Sequence, residues 1–218
     1  AVTFLIITWQ KYLYKYTSSL TQPHRSDIIP IKTVGFICQI IYIREETVML
    51  DAKVTELLNT QVNKEFYSAY LYLDFANYYT EQGLDGFANW YNVQAQEERD
   101  HAMLMIKYLQ NNGCKVTLEA IDKPGQIYEA FSDPLKAGYE HEQYVTGLIH
   151  TIYAAASDVK DFRTMQFLDW FVKEQGEEET NAENLIKKYE LFGSDPRALY
   201  MLDGELAART YAAPSLVL

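Results

Sequence analysis

The chain has 218 residues, 48% of them hydrophobic and 14% aromatic, so it holds enough apolar material to bury a core and does not read as disordered. Its formal charge of −11 argues against nucleic acid and anionic membranes as partners, because phosphate recognition needs clustered Lys and Arg, and it suits a protein that gathers cations. Two scattered cysteines, Cys38 and Cys114, exclude a disulfide framework or a zinc knuckle and point to a reducing, cytoplasmic setting.

Residues 1–48 differ from the rest. They carry five basic residues against three acidic ones, which leaves −13 on the remainder. Apolar β-branched and aromatic runs (Phe4-Leu5-Ile6-Ile7 and Phe36 to Ile43), with turn chemistry at Gln22-Pro23 and Ile29-Pro30, predict short strands or irregular structure. Val2 to Trp9 has no positive region before it and no small-residue cleavage site after it, so it is a poor secretory signal. Met49-Leu50-Asp51 reads as a natural start. Residues 1–48 are therefore expected to be upstream sequence not native to the protein; the rival is a genuine extension that binds a partner or a membrane surface. No run in the chain reaches the roughly 18 apolar residues of a membrane-spanning helix.

Asp51 caps a first predicted helix, in which Val54, Leu57, Leu58, Val62, Phe66, Tyr70, Leu71 and Leu73 recur at helical spacing to about Thr80. Gln82 to Gly86 breaks it. A second helix is predicted from about Phe87 to Leu109, stopped by Asn111-Asn112-Gly113. Residues 113–132 show no period and are long for a connection, but suit a crossover that makes helices two and three parallel. Asp133-Pro134 reads as a cap and first-turn proline for a third helix to about Ser157, and Asp161 starts a fourth that runs to Gly193. Ser194-Asp195-Pro196 repeats the start signal for a short fifth helix, fading by Ala207 to Thr210. Domain bounds of 49–210, with a tail at 211–218, follow.

The polar pattern on these helices repeats. Glu65 lies thirty-three residues before Glu98, and Glu142 lies thirty-three before Gln175; His101 follows Glu98 by three and Glu178 follows Gln175 by three. A separation of three keeps both side chains on one helix face. A lone mid-helix glutamate is usually a solvated surface residue, and a lone histidine is usually a satisfied core or surface group. The set is harder to dismiss, because its flanks are apolar: Phe66 and Tyr70, Trp90, Tyr91 and Met105, Phe171 and Val172. Buried carboxylates repel one another and cost several kcal/mol each to desolvate, which a cation offsets. Hard oxygen donors with one imidazole favour iron or manganese over structural zinc. Tyr72, seven residues past Glu65, shares its face, with core packing as the rival role among eighteen tyrosines. Glu97, Glu174 and Glu177 follow the same register and form a candidate neighbouring metal site, against the plainer reading of a charged face.

On these residues the chain from Met49 to about Ala208 resembles bacterial-type non-haem ferritins. The carrying segments are Asn63 to Tyr72, Gln96-Glu97-Glu98-Arg99-Asp100-His101, Tyr139-Glu140-His141-Glu142-Gln143 and Glu174 to Glu179. The resemblance implies an all-α fold: a ferritin-like four-helix bundle with a long crossover between helices two and three and a short fifth C-terminal helix. It implies one iron held by Glu65, Glu98 and His101, a second held by Glu98, Glu142 and Glu178, Gln175 near the oxidant, and a third iron at Glu97, Glu174 and Glu177. It further implies oxidation of Fe(II) by dioxygen or hydrogen peroxide, and storage of ferric mineral in a shell of twenty-four subunits. The second pair is Gln175-x-x-Glu178 rather than Glu-x-x-His, which departs from rubrerythrin-like and ribonucleotide-reductase-like sites. Arg99 after Glu98 argues against haem. The alternatives are a non-storage di-iron oxidase or peroxidase, or a metal-binding scaffold without turnover.

Overall fold

The Asp51 carboxylate accepts hydrogen bonds from the backbone N–H groups of Lys53 (2.8 Å) and Val54 (3.3 Å), and this cap starts α1 (Ala52–Glu81). The computed structural model describes residues 50–218. The expectations for residues 1–48 lie outside the described residues. At the far end of α1, Gly83 takes a φ of +76°, which lets Leu84 and Gly83 donate back to the carbonyls of Tyr79 (2.9 Å) and Thr80 (3.1 Å) and close the helix. A second helix, α2 (Asp85–Asn111), follows at once. It begins two residues before the predicted Phe87, because Gly86 belongs to its first turn. Gly113, with a φ of +72°, ends it in the same way.

The crossover runs along α1. Asn59 holds the backbone of Lys115 and Thr117, Asn63 holds the carbonyl of Ala120, Asp74 accepts from the Tyr128 hydroxyl, and Tyr79 donates to the carbonyl of Phe131. Contact points advance along α1 together with chain number, so this segment covers about 30 Å of helix in an extended conformation, as a rise of about 1.5 Å per helical residue requires. It delivers the chain to the end where α2 began. There α3 (Asp133–Asp158) starts, with Tyr91 of α2 donating to the carbonyl of Pro134. Helices α2 and α3 are thus parallel, as expected. Asp133 does not act as the N-cap: it is the first helical residue, Ser132 holds the cap position, and the Asp133 carboxylate accepts from Glu129 and Ala130 of the loop (both 2.8 Å).

Lys160 adopts a left-handed φ of 58° between α3 and α4 (Phe162–Phe192), and Asp161 caps α4 through the Thr164 N–H (3.0 Å). Asp195 caps α5 (Pro196–Leu206), which packs on α2 and α4 through Leu202 and Leu206. Beyond α5 the tail folds back on the bundle rather than trailing from it. Arg209 reaches Trp90, Tyr211 reaches Asp100, and Trp170 donates to Ser215 (2.9 Å).

Helices α1 and α2 form one antiparallel pair and α3 and α4 the other. All five helices and no strand are found among the described residues, so the fold is all-α. None of these helices is long and apolar enough to cross a membrane. Apolar residues form two clusters. One gathers Val54, Leu58, Val62, Met105, Ile149 and Phe171, and the other gathers Leu71, Phe75, Phe87, Tyr91, Leu135 and Leu185. Between them each of the four long helices contributes a buried polar turn.

Candidate metal centre

That layer contains Glu65 and Ser68 from α1, Glu98 and His101 from α2, Glu142 from α3, and Gln175 and Glu178 from α4, all buried. The side chains face inward because they occupy the same helix stripes as the apolar residues one or two turns away. Tyr70 and Val172, read from sequence as apolar flanks, instead point outward and are exposed. Trp170 and Phe171 flank the site, their rings edge-on to His101 at 5.5 and 5.9 Å.

Glu65, Glu98 and His101 converge: each offers a ligand atom, and these atoms lie within 4.8 Å of one another. His101 Nδ1 stands 3.6 Å from Glu98 Oε2 and 4.0 Å from Glu65 Oε2. Glu65 Oε1 accepts from Gln61 Nε2 (2.9 Å), but Glu65 Oε2 is buried with no hydrogen-bond partner. An unpartnered carboxylate oxygen in an apolar setting is costly, and a cation between it, Glu98 and His101 removes that cost.

Glu142 and Glu178 face this trio from the other helix pair, each already held by neutral donors. Tyr72 donates its hydroxyl to Glu142 Oε1, and Gln175 Nε2 donates to Glu142 Oε2 (3.1 Å) and to the Glu142 carbonyl (3.3 Å). Gln94 Nε2 donates to Glu178 Oε2 (2.8 Å) and more weakly to Glu98 Oε1 (3.4 Å). A cleft lined by Tyr72, Trp90, Gln94, Gly138, Glu142 and Glu178 opens beside these two carboxylates.

Burial first, and repulsion between neighbouring carboxylates second, push Glu65, Glu98 and Glu178 well above the usual carboxylate range; burial also raises Glu142, against the hydrogen bonds from Tyr72 and Gln175. Burial and the Glu142 charge raise the Tyr72 phenol. Without a cation the layer therefore favours protonated, neutral carboxyls, and a bound cation is what would let them ionise.

In the outer set the Glu174 charge adds to the rise of Glu97, but the three carboxylates do not converge as Glu65, Glu98 and His101 do. Glu97 is half-buried and paired with Arg209, Glu174 is partly buried, and Glu177 is exposed and paired with Lys173 (2.9 Å). Burial raises Glu97 while Arg209 pulls it down.

Gln61 and Gln94 were not singled out from sequence, although the signal was present. Each precedes a ligand-type glutamate by four residues, and the two are themselves thirty-three residues apart. Arg209, which holds Gln94 Oε1 at 2.8 Å, left no local signal, because its partners lie more than a hundred residues away.

Residues 55–192 match the model of the ferritin-like domain. The chain is 38% identical over 155 residues to a bacterial non-heme ferritin of Campylobacter jejuni, covering 71% of this chain and 93% of that protein. It is 34% identical over 163 residues to one from Staphylococcus aureus, covering 75% and 98%. Among solved structures, an open-pore ferritin from the archaeon Archaeoglobus fulgidus is similar with a TM-score of 0.72 and 44% identity, over 74% of this chain and 98% of the other. Its engineered closed form gives a TM-score of 0.73 and 43% identity, over 75% and 99%. The family match spans all four long helices, and the chain belongs to the ferritin-like domain family.

Proposed function

We propose that this protein is an iron-storage ferritin that oxidises Fe(II) at a dinuclear centre and deposits ferric mineral inside a shell of twenty-four subunits in the cytoplasm. The observation that carries the reading is the convergence of Glu65, Glu98 and His101 in a buried polar layer, with Glu65 Oε2 lacking any partner. Similarity at 34% and 38% identity to bacterial non-heme ferritins supports iron storage.

In this reading iron is the substrate. Glu65, Glu98 and His101 hold one Fe(II); Glu98, Glu142 and Glu178 hold the second, with Glu98 shared. Two ferrous ions side by side supply two electrons together, so dioxygen and two protons give hydrogen peroxide without release of a one-electron product. Carboxylate ligands favour Fe(III) over Fe(II), since the higher charge gains more from anionic oxygen. Tyr72 and Gln175 hold Glu142 in place, and the Tyr72 phenol supplies a hydrogen bond or an electron. Glu97, Glu174 and Glu177 provide a third, weaker iron position on the outer side, for which Arg209 must release Glu97. Hydrogen peroxide is the alternative oxidant.

Storage requires assembly, because one bundle has no room for mineral. The test is aerobic addition of excess Fe(II), followed by size-exclusion chromatography with iron quantified per chain. Iron far beyond three per chain in a large particle, with rapid oxidation lost in Glu98→Ala, is the expected result. Iron that stops at two or three per chain would instead identify a non-storage oxidase or a metal-binding scaffold.

A further inference from the structure

The tail residue Arg209 is linked to the metal centre through a single amide. Its guanidinium lies 4.2 Å from the centroid of the Trp90 ring, donates to the Trp90 carbonyl (3.2 Å) and to Gln94 Oε1 (2.8 Å), and pairs with Glu97. On its other side the Gln94 amide donates to Glu178 Oε2 (2.8 Å) and Glu98 Oε1 (3.4 Å). A guanidinium can only donate, and a carboxylate that has ionised to bind a cation can only accept. An amide between them therefore has one orientation that satisfies both sides, oxygen toward Arg209 and nitrogen toward the carboxylates. Asn89 anchors the segment that carries Arg209 by donating to the Arg209 carbonyl (3.0 Å).

We propose that Arg209 is a positioning residue for the metal centre. By fixing the orientation of Gln94 it presets the carboxylates of Glu98 and Glu178 for a divalent cation, and so couples docking of the C-terminal segment to cation binding. This inference rests on the reading of the buried carboxylates as a metal centre. Gln94 engages Glu98 Oε1, leaving Glu98 Oε2 directed at His101. Without Arg209 the amide is free to turn its oxygen toward the carboxylates, which repels them and loses the preset geometry. Coupling is reciprocal, so a cation in the centre tightens the tail on α2.

The test uses Co(II), which is not oxidised under these conditions and reports its ligands by visible absorption, titrated into the full-length metal-free protein. Partners that orient metal ligands typically contribute at least tenfold in affinity, so Arg209→Ala and Gln94→Met are each expected to weaken Co(II) binding about tenfold and to alter its absorption band. The double variant binds no more weakly than the weaker single one. Arg209→Lys, which keeps a donor for Gln94 Oε1, binds more tightly than Arg209→Ala. Tyr211→Phe removes a contact of the tail that does not reach Gln94 and weakens Co(II) binding less than Arg209→Ala does. In hydrogen exchange, Co(II) slows the amides of residues 207–211 in the wild type but not in Gln94→Met.

Wild-type Co(II) affinity in Arg209→Ala, or effects of Arg209→Ala and Gln94→Met that add in full, would overturn the relay. Co(II) binding unchanged by Glu98→Ala is a separate outcome, which removes the metal-centre reading itself. The two failures are distinguishable because the relay is scored only at the site that Glu98→Ala abolishes.

Discussion

Asp203 Oδ1 of α5 lies 2.8 Å from the backbone nitrogen of Gly86 and 3.0 Å from that of Phe87, so the first turn of α2 is capped by another helix. The local N-cap residue, Leu84, has no side chain able to do this. Contact is so close that a Cβ on Gly86 would stand 1.7 Å from the Asp203 carbonyl oxygen. Two principles give opposite signs for Gly86→Ala: helix propensity alone favours alanine by about 1 kcal/mol, whereas the clash forces α5 off the bundle. The clash wins, and thermal denaturation is expected to show Gly86→Ala lowering Tm. Asp203→Ala, which loses only the cap, costs about 1–2 kcal/mol. A rise in Tm for Gly86→Ala would contradict the close packing of α5.

Legibility in the sequence followed the range of the interaction. Asp51, Asp161 and Asp195 are read as caps from sequence and act as caps, since an N-cap bonds a backbone N–H two or three residues ahead. Asp133 looks the same in sequence, yet its carboxylate turns back to Glu129 and Ala130, a choice made by the crossover loop. The polar layer was legible because helical periodicity puts Glu98 with His101, and Gln175 with Glu178, on one face, while apolar periodicity buries that face. What periodicity could not give was partnership across the bundle. The starting point of α2 depends on Asp203, and the state of Glu97 depends on Arg209, both supplied from more than a hundred residues away.

Lys160 closes α3 in the left-handed region, donating to the carbonyl of Ser157 (3.0 Å) while Asp161 donates to that of Ala156 (2.8 Å). This is the position at which glycine ends α1 and α2. A lysine there carries about 1 kcal/mol of conformational cost that glycine avoids. The lysine side chain is exposed and forms no ion pair among the described residues, so nothing offsets its loss. Lys160→Gly is expected to stabilise the protein by about 0.5–1 kcal/mol in chemical denaturation, with no change in the amount of Fe(II) oxidised.

His141 sits beside Glu142 but turns its Nε2 to Ser68 Oγ (2.7 Å), among the rings of Tyr67, Tyr72 and Tyr144. Burial, with a smaller push from Lys64, lowers it to about 4. A histidine lowered in the fold stabilises it while neutral. As pH falls below about 6.5 the unfolded chain takes the proton first, so stability is lost between about pH 6.5 and 4, at up to about 1.4 kcal/mol per pH unit. His141→Gln is expected to flatten this acid limb in denaturation curves of the metal-free protein. An unchanged limb would show that His141 is protonated within the fold.

Glu65 gives the opposite sign. Burial and the neighbouring Glu98 raise its carboxyl well above the usual range, so the folded, metal-free protein holds that proton after the unfolded chain has released it. Stability from this group is complete below about pH 4.3 and declines as pH rises through the raised value. Glu65→Gln removes the ionisation and keeps an oxygen for the Gln61 amide. Its Tm without metal is therefore expected to exceed that of the wild type at pH 8 and to approach it at pH 5. Loading a divalent cation reverses the order, because the wild-type carboxylate then ionises against the metal. Calorimetric titration with Co(II) in buffers of different ionisation enthalpy should show proton release in the wild type and less of it in Glu65→Gln. A metal-free Tm for Glu65→Gln that falls below the wild type at pH 8 would mean that Glu65 is ionised and paired inside the fold, and that the layer holds no proton there for a cation to displace.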